Sequence, residues 1–117
     1  MNNKLLFSIV AIVALVLVSG CAQTNNNNQG NTGASTYNVA IQNFAFNPPT
    51  ITIKKGDTVV WTNQDSVQHT VTSDSGTEMD SQLLQNGQTY SHTFQETGTF
   101  DYHCAPHPSM KGKVVVE

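Results

Sequence analysis

From Tyr37 to Glu117 turn residues recur so often that no window longer than about ten residues sustains helical spacing, which leaves β-strands as the regular structure most of it can form. The interruptions carry turn chemistry: Asn47-Pro48-Pro49, Lys55-Gly56-Asp57, Asn63-Gln64-Asp65, Asp74-Ser75-Gly76 and Asn86-Gly87. Between them Val39, Ile41, Ile51, Ile53, Val59, Trp61, Val67 and Val71 fall into short, partly alternating runs, the pattern of half-buried strands. These runs predict strands at Tyr37–Phe44, Thr50–Lys54, Thr58–Thr62, His69–Ser73, Thr89–Phe94, Thr99–His103 and Gly112–Val116, with room for a short helical turn between Glu78 and Gln85. Short strands with frequent turns imply an all-β sandwich or barrel. Trp61, Phe94 and Phe100 lie inside predicted strands and are expected in its core, where aromatic rings bury the most area.

The first third of the chain does not share this pattern. Lys4 precedes an almost unbroken apolar run from Leu5 to Val18, about 21 Å long as a helix and short of the roughly 30 Å of hydrocarbon in a bilayer. The run reads as the apolar region of a signal peptide. Val18-Ser19-Gly20-Cys21 follows it and resembles a bacterial-type lipobox, in which the cysteine is lipidated and becomes the mature N-terminus. Residues 22–36 contain the run Asn25–Asn28 with Gln29, Gly30, Gly33 and Ser35, and no large apolar side chain. Such a stretch cannot bury enough surface to offset its ordering entropy, so it is expected to be a flexible linker. The expected organisation is a lipoprotein signal peptide over 1–21 ending at Cys21, a linker over 22–36 and a folded domain over 37–117. The domain would be exported and held to the outer side of the cell membrane by a lipid anchor. Its roughly 80 residues suffice for one core.

The chain carries a net charge of −3, only 11% charged residues and no arginine. A mildly acidic chain without a basic patch has no electrostatic reason to bind nucleic acid. Two cysteines would permit one disulfide in an oxidising compartment. However, Cys21 ends the export signal and Cys104 sits inside a separate motif, so different fates are expected for them.

That motif is Tyr102-His103-Cys104-Ala105-Pro106-His107-Pro108-Ser109-Met110. Cys104, His107 and Met110 recur every three residues after a predicted strand, a spacing that lets a thiolate, an imidazole and a thioether converge on one ion from a tight loop. Pro106 and Pro108 fix φ on both sides of His107 and stiffen that loop. A fourth donor must come from elsewhere, and His69, at the start of a predicted strand, is the natural candidate. One thiolate, two imidazoles and a weak thioether suit copper, which forms trigonal His₂Cys sites with a long axial Met. Structural zinc prefers four strong N or S donors, and methionine is not among them. The same set accommodates Cu(I) and Cu(II) with little rearrangement and leaves no strong open position for a substrate, so electron transfer fits better than catalysis. His103 should point to the face opposite Cys104, and His92 lies mid-strand without a donor nearby in sequence; both read as surface or packing residues.

At these residues the chain resembles the plastocyanin/azurin family of cupredoxins, and within it the amicyanin-like members. The resemblance runs from about Tyr37 to Glu117 and is densest in Lys54–Asn63 and Gly98–Glu117. It implies a Greek-key β-sandwich of about seven to eight strands. It also implies one copper ion held by His69, Cys104 and His107 with Met110 as axial ligand. The implied function is shuttling of single electrons between extracytoplasmic or membrane-associated redox proteins that dock near His107, by a monomer and not an enzyme. A copper-delivery lipoprotein is the alternative; a binuclear copper site would need a second cysteine in the loop, where only Cys104 stands. Family members usually carry Asn after the upstream histidine, tying the two ligand loops together; here Thr70 offers a hydroxyl instead. Amicyanin-like members usually have an aromatic residue where this chain has Ser109, which implies a smaller, more polar docking patch.

Overall fold

In a computed structural model that describes residues 33–117, eight strands form: β1 (Thr36–Gln42), β2 (Ala45–Asn47), β3 (Thr50–Ile53), β4 (Thr58–Asn63), β5 (Thr72–Ser73), β6 (Thr89–Thr93), β7 (Gly98–His103) and β8 (Lys111–Val116). The signal peptide, the lipobox with Cys21 and the linker up to Thr32 lie outside the described residues. The end of the expected linker is already part of the fold: Ser35 N–H donates to Asp57 Oδ1 at 2.8 Å, and Thr58 N–H donates to Ser35 O at 2.9 Å.

Two four-stranded mixed sheets face each other, in the orders β2-β1-β4-β6 and β3-β8-β7-β5. β4 and β8 are interior strands of their sheets, and each alternates strictly between a core face and an outer face. Val59, Trp61 and Asn63 of β4 turn inward, as do Gly112, Val114 and Val116 of β8, while their neighbours face outward or lie half-buried. Trp61 and Phe94 are fully buried as expected, whereas Phe100 is only partly buried and packs against the core. Rings knit the two sheets together. Trp61 meets Tyr102 edge-on at 5.5 Å and donates its indole N–H to Tyr102 Oη at 3.0 Å; Phe46 meets Tyr102 at 4.7 Å. Burial pushes the Tyr102 phenol up to about 12, the Trp61 hydrogen bond opposing it, so it stays a neutral partner for that indole. Each fully buried large side chain of this kind contributes about 1.5–3 kcal/mol.

The predicted sandwich is present, with differences at its edges. The first predicted strand, Tyr37–Phe44, stops at Gln42 because the chain reverses at Asn43-Phe44 and returns as β2, pairing Gln42 with Ala45 and Ile41 with Phe46. Both turn residues have positive φ, 56° and 58°, the geometry of a two-residue hairpin whose twist matches its strands. His69–Ser73 is a strand only at Thr72–Ser73; His69 makes a single bridge to Leu84. Val67 is exposed, not half-buried. No helical turn forms between Glu78 and Gln85, where Ser73 Oγ and the carbonyl of Val71 take up the backbone N–H groups of Met79 and Ser81 instead.

Candidate metal centre

Three loops meet at one end of the sandwich, and strand register explains why. β1 and β4 run parallel with Ile41 opposite Asn63, so the β1–β2 turn lies beside the loop that follows β4. Asn63, fully buried, fastens that loop. Its amide donates to Val67 O at 2.9 Å and to Leu84 O at 2.7 Å, and its Oδ1 accepts from Asp65 N–H at 2.9 Å. His69 and Leu84 then exchange backbone hydrogen bonds of 3.2 and 2.8 Å, which sets the imidazole inward.

The third loop leaves β7. His107 N–H donates to Cys104 O at 3.1 Å, Met110 N–H to His107 O at 2.9 Å and Cys104 N–H to Met110 O at 3.1 Å. Each interval of three residues is thus closed as a turn, which is the physical content of the Cys-x-x-His-x-x-Met spacing. Pro106 and Pro108 lie exposed on either side of half-buried His107. Met110 is buried against the core.

The loops bring three donor atoms together: those of His69, Cys104 and His107 lie within 4.8 Å of one another. Cys104 Sγ is 3.4 Å from His69 Nδ1 and 3.6 Å from His107 Nδ1. Metal bonds of about 2.0 Å to nitrogen and 2.3 Å to sulfur, opening at roughly 110–120°, put such atoms about 3.5–3.7 Å apart. The observed separations agree within a few tenths of an ångström.

The surroundings set the direction of each donor. Asp65 Oδ2 lies 2.9 Å from His69 Nε2, and the carboxylate accepts the proton there, which turns the Nδ1 lone pair toward Cys104. Burial, the largest single influence, pushes the Asp65 carboxyl up. The N–H groups of Phe44 and Asn43 and the neighbouring His69 together outweigh it and hold the group below its ordinary value. Thr70 answers the question raised by the missing Asn. Its N–H lies 3.4 Å from Cys104 Sγ, and its hydroxyl accepts from Ala105 N–H at 2.8 Å while sharing a 2.8 Å bond with Thr72 Oγ1. One hydroxyl therefore ties the His69 loop to the Cys104 loop. His92 and His103 sit elsewhere, paired with Glu78 at 2.7 Å and Asp74 at 2.6 Å.

Comparison with known proteins decides the lineage. Residues 33–117 match the family model described as copper binding proteins, plastocyanin/azurin family. The chain belongs to that family. It is 43% identical over 88 residues to amicyanin-alpha of Methylorubrum extorquens, covering 72% of this chain and 74% of the relative. It is 42% identical to amicyanin of Paracoccus denitrificans over 68% of this chain and 63% of that protein's length. The crystal structure of amicyanin from Paracoccus versutus superposes with a TM-score of 0.66 at 37% identity, covering 70% of this chain and 81% of the other.

Cupredoxins bind one copper, and the thiolate–imidazole donor set of this chain fits that ion. Three parts of the centre escaped the sequence reading. The sequence pattern marks Asp65 and Asn63 only as turn residues, although an acid four positions before a candidate ligand is itself a signal. Phe44 was placed inside a strand; it is instead half-exposed at the turn, edge-on to His69 at 5.3 Å and to His107 at 5.1 Å. Holding a residue with a Cβ at such a positive φ costs roughly 1–3 kcal/mol.

Proposed function

We propose that this chain is a one-electron carrier whose single copper is held by His69, Cys104 and His107, with Met110 as the weak axial donor. The observation that carries the reading is the convergence of two imidazole Nδ1 atoms on the buried Cys104 sulfur, at 3.4 and 3.6 Å. Bound copper would supply the Cu(I)/Cu(II) couple. The chain supplies the rest: Asp65 orients His69, Thr70 fastens the two loops, and the turns at His107 and Met110 hold the donors in a frame that need not rearrange.

The half-buried His107, between exposed Pro106 and Pro108 and beside Phe44, is the electron's way in and out. A small apolar patch of this kind suits redox proteins that dock weakly and leave quickly. Phe44 supplies from the β1–β2 turn the aromatic surface that Ser109 does not. A signal peptide and a lipid anchor at Cys21 would place the carrier outside the cytoplasm, tethered to the membrane by the residues between Cys21 and the folded domain, as a monomer and not an enzyme.

The test is redox titration of the copper-loaded protein. An intense visible absorption that bleaches on uptake of one electron and returns on oxidation, together with slow copper loss to a competing chelator, is the expected result. Colourless copper binding with rapid surrender of the metal overturns the carrier reading in favour of metal delivery.

A further inference from the structure

Phe44 sits at a turn position that does not call for a large apolar side chain. A two-residue hairpin turn with both φ values positive favours Gly at its second position, and Asn43-Phe44 puts a large apolar side chain there, with φ 58° and half its surface exposed. Something other than the turn must favour the ring. Its edge contacts supply a reason. Phe44 meets His69 at 5.3 Å and His107 at 5.1 Å, both at 89°, and the two imidazoles lie 5.0 Å apart at 62°. The three rings form a triangle, two of whose corners are the imidazoles of the candidate metal centre.

We propose that Phe44 is a positioning residue that holds both imidazoles in register, and that the Asp65 carboxylate latches the turn for that purpose; this rests on the copper reading above. Asp65 Oδ1 accepts from Asn43 N–H at 2.7 Å, and its Oδ2 accepts from Phe44 N–H at 2.9 Å while meeting His69 Nε2 at 2.9 Å. A single side chain thus fixes the backbone that carries Phe44 and the ring that Phe44 touches. Both residues are held by backbone bonds, but the His69 ring is also held by Asp65 at Nε2, whereas the rings flanking His107 are Phe44 and His69 themselves. His107 depends on the clamp more than His69 does. Two edge-to-face contacts together favour the held arrangement by roughly tenfold.

The test compares Phe44→Gly, Phe44→Ala and Phe44→Tyr with the parent protein. Phe44→Gly suits the left-handed turn and is expected to keep or raise the melting temperature. In the metal-free protein, NMR relaxation of the His107 ring carbons should nevertheless show a more mobile ring in the Gly and Ala variants. In the copper-loaded protein, the Cu(II) EPR spectrum should change and copper release to excess chelator should speed up about tenfold. Phe44→Tyr should restore all three. Wild-type ring relaxation and release in Phe44→Gly overturns the proposal, as does a Tyr variant no better than Ala. The metal-free ring measurement judges the clamp alone, whereas a parent protein without a reversible colour change sinks only the carrier reading.

Discussion

Asp65 Oδ2 lies 2.9 Å from Nε2 of His69 and accepts the N–H of Phe44 at the same distance, so one carboxylate orients a candidate copper ligand and braces a neighbouring turn. Removing it should disturb both at once, each with its own readout. Asp65→Ala leaves the Asn43 and Phe44 N–H groups to water and frees the His69 ring. Stability of the metal-free protein should fall by about 1–3 kcal/mol in urea denaturation. Copper affinity, measured by chelator competition, should fall about 10–100-fold through loss of the carboxylate behind the imidazole. An unchanged affinity would disconnect Asp65 from the centre.

Thr70 gives a second test, because its hydroxyl is the acceptor for Ala105 N–H in the loop that bears Cys104. Thr70→Val keeps shape and burial but removes that acceptor. A cost of about 1–3 kcal/mol is expected, together with a shifted reduction potential as the loop loosens. Thr70→Ser, which retains the oxygen, should restore most of both. Equal behaviour of Val and Ser would mean that the hydroxyl does not tie the loops.

The sandwich was readable in β4, β7 and β8 because alternation along a strand reports directly which face is buried. The Cys104-x-x-His107-x-x-Met110 loop was readable because its spacing is a local turn repeat. The β1–β2 turn was not. Phe is no turn former, and the acceptor that steadies Phe44 lies 21 residues away in Asp65. The end of the next loop was not legible either: His69 and Thr70, expected to open a strand, and Val67, expected half-buried, belong to an irregular loop for a similar reason. Its shape is set by Asn63, whose amide reaches Leu84 O across 21 residues, so Val67 faces solvent and His69 faces in without any strand between them. Long-range side-chain bonds leave no periodicity to read.

Gly112 offers a prediction about packing alone. It pairs with Tyr102 across β7 and β8, and a Cβ at this position would clash with Cζ, Oη and Cε2 of Tyr102. Gly112→Ala must therefore displace that ring and stretch its 3.0 Å bond to the Trp61 indole. Overpacking of this kind costs typically about 1–3 kcal/mol. Denaturation of the metal-free protein checks the value, and a red shift of tryptophan fluorescence should accompany it as Trp61 loses its enclosure. The double variant Gly112→Ala with Tyr102→Phe should recover little, since the ring carbons clash as well as the hydroxyl.

Asp57 predicts how the fold responds to acid, at a site remote from the proposed ligands. Its carboxylate accepts N–H groups from Ser35 at 2.8 Å and Lys54 at 2.9 Å; these bonds, Ser35 first, lower its pKa, with burial opposing and the Lys54 charge assisting. In the unfolded chain the group titrates near its ordinary value, about 3.9. Between the folded and unfolded values the unfolded chain binds the additional proton, so stability declines as pH falls. The contribution of Asp57 is therefore full above about pH 4 and disappears as the pH drops through the lower folded value. Asp57→Asn removes the titration and should flatten this part of the curve. Melting temperatures of the metal-free proteins at pH 7 and pH 3 measure it: the parent should lose more on acidification than the Asn variant. Equal losses would place the acid sensitivity of the fold elsewhere.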